Sequence, residues 1–136
     1  MATTTATITL SSTDLLSDEL ALTTSATLTG HNNATGVVAA IGLSRITISD
    51  TSETLLFDAS AYTEDKAHKI YIKNTETTAS QSFLVKVGDK ELGRLYAGDF
   101  MFAPWNANVS GGATNGDITI TPSDAGMTAE YMAFID

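Results

Sequence analysis

His31 and His68 are the chain's two imidazoles, and neither stands in a Ser, Cys or Asp motif that would make it the base for a nucleophile. Carboxylates occur in close pairs, Glu64-Asp65 and Asp89 with Glu91, and paired carboxylates can divide acid and base roles or bind calcium. Here no stretch supplies the spaced oxygen ligands and the glycine of a calcium loop, so both pairs read as solvated turns. The absence of Cys excludes thiol-based metal sites and a disulfide framework. No P-loop or GxGxxG occurs, and no helix follows a glycine turn to cradle phosphate. The residues predict no enzyme: no catalytic residue, no cofactor and no metal.

"GRLYAGDFMFAPWN" (93–106) gathers the only Trp, two of five Phe and one of two Pro around a Gly-Asp pair. It could be the wall of a binding pocket, or a hairpin whose aromatics fill a core. On a strand before the Ala97-Gly98 turn or after it, at least one of Phe100 and Phe102 is expected to face inward. Trp105 follows Pro104, where a strand must end, and so belongs at a rim. There it can plug the end of the fold or anchor a subunit contact; the plug is preferred.

Seven basic and sixteen acidic residues leave a formal charge of −9, which repels a phosphate backbone and argues against nucleic acid as a partner. All seven basic residues lie between Arg45 and Arg94. They could mark a cationic face, although scattered solvent-facing lysines are the commoner arrangement. "MATTTATITL" has no basic n-region and no apolar run reaches 18 residues, so neither a signal peptide nor a membrane span is expected. Sequons at Asn33 and Asn108 carry no weight in so Asn- and Thr-rich a chain.

The elements that must position these residues are strands. Thr fills 22 of 136 positions, and its branched side chain suits a pleated, half-buried surface. "TATITL" (5–10) and "ALTTSATLT" (21–29) alternate at period two and predict half-buried strands, with a turn between them capped by Ser12 or Thr13. Further short strands follow near 37–49, where Gly42 is expected to interrupt, and at 54–60, 68–74, 82–88, 91–97, 99–104, 117–122 and 129–135. With no crossover helix among them, the fold class is all-β with antiparallel connections, which a sandwich, a jelly roll or a small barrel would satisfy; an antiparallel β-sandwich of jelly-roll type is the expectation, one domain over 1–136 with 1–12 a possible N-terminal arm. "VGDKE" and "YAGDF" predict two hairpins that join 82–87, 91–97 and 99–104 into a meander. The loop at 109–117 is a place where binding could sit.

The N-terminal strand carries no charge before Asp14 and is poorly defended against pairing with another chain. The run from Val37 to Ile41 is too continuous for a half-exposed strand. Thr5, Thr7, Ile8, Leu10, Val37, Val38, Ile41 and Trp105 are therefore the expected contact residues of a homo-oligomer, with a trimer favoured. An ordinary first strand inside its own sheet is the competing reading of residues 3–10.

From about residue 67 onward, "KIYIKN", "VKVG", "ELGRLYAGDF", "FAPW" and the closing "AEYMAFID" follow one another in an order that resembles small virion structural proteins of marine tailed phages, cyanophages among them. The resemblance implies a capsid decoration or cement protein, assembled in the host cytoplasm and carried in the virion, with itself and the major capsid protein as partners. A tail-fibre or host-recognition module that binds carbohydrate is the alternative, and a free regulatory protein or enzyme inhibitor a third.

Overall fold

The computed structural model describes residues 3–15, 20–31, 36–37, 39–110 and 115–136. Its strands are β1 (Thr5–Ser12), β2 (Leu20–Thr27), β3 (Ala39–Ile48), β4 (Thr54–Phe57), β5 (His68–Asn74), β6 (Ser82–Val87), β7 (Lys90–Tyr96), β8 (Phe100–Trp105), β9 (Ile118–Pro122) and β10 (Met127–Ile135). The one helical element among the described residues is a 3-10 turn at Ala59–Ala61.

Eight strands make two antiparallel four-stranded sheets, in the orders β3-β10-β5-β8 and β4-β9-β6-β7. Every connection from β3 to β10 crosses between the sheets except the β6–β7 hairpin. That strand order and crossing pattern make a jelly roll, one of the antiparallel arrangements that the strand spacing allows. β5 shows why the sheets face each other: His68, Ile70, Ile72 and Asn74 are buried while Lys69, Tyr71 and Lys73 alternate outward. Opposite them Phe57, Phe83, Val85, Ile118 and Ile120 close the core. Each such large apolar side chain contributes about 1.5–3 kcal/mol by leaving water.

The N-terminal third departs from expectation. β1 and β2 are not half-buried strands of the sandwich but a separate two-stranded ribbon, paired in register from Thr5↔Thr27 to Ser12↔Leu20. Most of its side chains are exposed. Gly42 does not interrupt β3 either; the strand runs through it and absorbs an irregularity opposite Met132. Val38, the sequon at Asn33 and residues 111–114 of the expected binding loop lie outside the described residues.

The expected meander is also corrected. β6 and β7 form a hairpin, turning at Gly88, whose φ of +54° suits glycine and where a Cβ would lie 2.6 Å from the Asn115 carbonyl oxygen. β8, however, pairs with β5 in the opposite sheet. The diversion is held by Asn74, buried at the end of β5. Its Nδ2 donates to the carbonyls of Leu95 (3.0 Å) and Gln81 (3.2 Å), and its backbone N–H donates to Asp99 O (2.9 Å). The Ala97-Gly98 turn therefore crosses the sandwich rather than closing a hairpin.

Candidate interaction surface

β8 pairs with β5 so that Trp105 lies opposite His68, Ala103 opposite Ile70 and Met101 opposite Ile72, all on the core side. Both Phe100 and Phe102 consequently point outward, and Phe100 is 62% exposed. The expectation that at least one Phe fills the core fails because the register is set by Trp105 at the strand's end. One strand position exchanges the two faces.

Trp105 takes the plug position. It is buried, its ring 4.9 Å from that of Tyr62 and 5.8 Å from that of Phe57, and its Nε1–H donates to Gly116 O at 2.7 Å. Gly116 itself packs against the Asn108 backbone, where a Cβ would lie 2.4 Å from Asn108 O. Of the expected contact residues, Trp105 and Val37 are buried and Ile41 is partly buried against the core, so in the single chain they offer little apolar surface to a partner.

Of the remaining expected contact residues, Thr5, Thr7, Ile8 and Leu10 lie on the ribbon, sorted by parity. Thr5, Thr7, Thr9 and Ser11 share one face with Thr23, Ser25 and Thr27, and there Thr7 Oγ1 meets Ser25 Oγ at 2.8 Å. Ala6, Ile8 and Leu10 share the other with Leu20, Leu22 and Ala26. Leu10 stands directly opposite Leu22, and both are nearly half exposed. β1 and β2 together contain no charged side chain.

The ribbon's root rests on the outer face of the β3-β10-β5-β8 sheet. The N–H of buried Leu28 donates to Thr4 O, and Lys69 Nζ donates to Thr29 O at 2.9 Å. His31 is held by Asp136, whose Oδ2 accepts from the His31 backbone N–H (2.8 Å) and the Ala67 N–H (3.1 Å) and lies 3.0 Å from His31 Nδ1. Those hydrogen bonds hold the Asp136 carboxyl down at about 2, the backbone donors of Ala67 and His31 acting first.

Between root and sheet runs an apolar groove of about 390 Å³. Leu43, Phe102, Met132 and Phe134 line its floor, and Ala6 and Leu28 its rim. The Phe102 and Phe134 rings meet edge to face at 6.0 Å. At one end Glu130 accepts from Arg45 Nε at 3.0 Å and from Tyr71 Oη at 3.4 Å. Partial burial and the Glu130 charge both push the Tyr71 phenol up from its ordinary value. Sequence reasoning identified the ribbon residues but missed this floor. The signal was present in the alternation of Tyr71, Phe102, Met132 and Phe134 against their inward neighbours, once β8's register is known.

Two other candidates for chemistry, His68 and Glu64, make hydrogen bonds within the fold. Buried His68 donates from Nε2 to Thr63 O and accepts at Nδ1 from the Asp136 N–H, which occupies both ring nitrogens. Glu64 accepts from the Val109 N–H and the Ser110 hydroxyl and thereby ties down a loop. Among the described residues no group of three or more His, Cys, Asp or Glu side chains is placed to hold a metal ion. Compared with protein-family models, curated proteins and solved structures, the chain finds no match.

Proposed function

We propose that this protein is a non-enzymatic structural component of a tailed-phage virion, decorating or cementing the capsid through contacts between its own copies. The observation that carries the reading is the uncharged ribbon, one face apolar, standing outside a complete jelly roll beside an apolar groove. Large contiguous apolar surface left in water marks a place of association. Jelly rolls occur in capsids and in lectins, so the fold alone does not choose between them. The motif order from residue 67 onward favours the virion. A cyclic homo-oligomer, with a trimer preferred, meets an icosahedral shell through equivalent contacts, and the major capsid protein or another virion protein is its second partner. Assembly takes place in the host cytoplasm.

Mass spectrometry of purified particles, with a binding assay on empty capsids, tests the reading. The chain is expected in the particle at stoichiometric level and bound to the shell. Its absence from particles overturns the proposal in favour of a free regulatory protein. Glycan-array binding without capsid binding replaces it with a host-recognition module that presents Tyr71 and Phe100, whose rings lie 6.4 Å apart on the outer face.

A further inference from the structure

We propose that the ribbon of one copy lies with its apolar face in the groove of a second copy, Leu10 and Leu22 seated over Leu43, Phe102 and Met132. The inference deepens the self-association reading above and rests on it. Each copy then gives one ribbon and receives one, a head-to-tail contact that can close into a ring of three.

Three observations name a second copy as the occupant. A two-stranded ribbon is marginal in water on its own, and among the described residues this one has an apolar face on which Ile8, Leu10 and Leu22 stay nearly half exposed. The groove continues that same surface, because its rim is the root of the chain's own ribbon; an arriving ribbon lies alongside the resident one on a shared floor.

Charge supplies the third observation. Copies that each carry −9 repel one another over most approaches. The ribbon strands carry no charge, and the groove's charged pair, Glu130 with Arg45, is internally neutralised at 3.0 Å. Ribbon on groove is thus a contact that brings no net charge against net charge. Eight residues at about 3.3 Å each give a ribbon about 26 Å long and about 10 Å wide, so one contact buries about 500 Å² counting both sides. That area is well below the roughly 1,200 Å² at which stable specific interfaces begin, so a single contact is weak and transient, and a lasting oligomer needs a ring that adds its contacts together.

Sedimentation velocity of the full chain from about 1 to about 200 µM reads the association directly. The wild type is expected to form a discrete oligomer. Leu10→Asp/Leu22→Asp in the ribbon and Leu43→Glu in the groove are each expected to weaken association at least about tenfold, and mixing the two variants restores a complex through one intact ribbon and one intact groove. Leu10, Leu22 and Leu43 are all exposed in the single chain, and unchanged circular dichroism shows that each variant is still folded. A wild type that stays a 14.3 kDa monomer throughout overturns the proposal. So does loss of association in the ribbon variant alone, which would mean ribbon packing on ribbon, and so does a ribbon variant that still associates. A chain that associates as described but is missing from particles keeps this contact and removes only the capsid reading.

Discussion

β1 and β5 carry the same kind of alternation, "TATITL" in one and "HKIYIKN" in the other, yet they end in opposite circumstances. β5 has β10 on one side, β8 on the other and a second sheet against its inner face, so every inward side chain is buried. β1 has one neighbour and no sheet across from it, so Ile8 and Leu10 remain nearly half exposed. Period-two alternation specifies a strand with two different faces, but what covers the apolar face depends on neighbours distant in sequence.

The largest expected difference between the two regions is in the response to truncation. Asn74→Ala removes the donor that two carbonyls, those of Leu95 and Gln81, depend on, and it also removes Oδ1, which accepts from the Glu76 N–H. Leaving buried acceptors unpaired costs about 1–3 kcal/mol per group, so a total near 3 kcal/mol and a drop of roughly 10 °C in melting temperature are expected. Asn74→Asp offers no rescue, since a carboxylate cannot donate. Leu10→Ala in the ribbon should leave monomeric melting within about 0.5 kcal/mol. Equal effects from the two substitutions in calorimetry would show that the distinction between the regions is false.

That contrast also explains what the sequence made legible. The strands from residue 39 to 135, and their antiparallel all-β pairing, could be read because each apolar run is bounded by turn residues and no helix intervenes. The β7–β8 connection was misread because "YAGDF" has local hairpin chemistry, whereas the path of the chain is decided by Asn74, about twenty residues earlier. Phe100 and Phe102 were misassigned for a related reason, their parity being fixed by Trp105 and Gly116 rather than by their own neighbours. The ribbon residues stood out because charge is absent there. The apolar groove beside them did not, since it is assembled from β3, β5, β8 and β10.

A smaller effect should appear where the two regions are joined. Asp136 holds its carboxyl near 2, below the ordinary 3.8, by accepting from Ala67 and His31; Lys66 Nζ also lies 3.4 Å from the His31 ring. A folded value depressed in this way contributes stability that is fully present above about 3.8 and is lost as pH falls toward 2. Asp136→Asn is therefore expected to lower the melting temperature by a few degrees at pH 6 and to narrow that gap at pH 2.5. Hydrogen exchange at residues 28–31 should speed up more than exchange in β5. A gap that does not change with pH would show that the carboxylate's charge is not what fastens the ribbon's root.

The smallest effect is expected on the ribbon's hydroxyl face. Thr7→Val keeps the β-branched shape that a strand favours and removes only the hydroxyl that meets Ser25 Oγ at 2.8 Å in an exposed position. A cross-strand pair of this kind contributes roughly 0.2–1 kcal/mol to the strands it joins. That energy belongs to the local opening of the ribbon, not to global unfolding, if the ribbon lies outside the sandwich's cooperative unit. Amide exchange in β1 and β2 should accelerate a few-fold while the calorimetric melt of the sandwich stays where it was. Oligomerisation should also persist, because Thr7 faces away from Leu10 and Leu22. A shift of the main melting transition by several degrees would place the ribbon inside the cooperative unit, and the contrast between β1 and β5 would then be one of exposure alone.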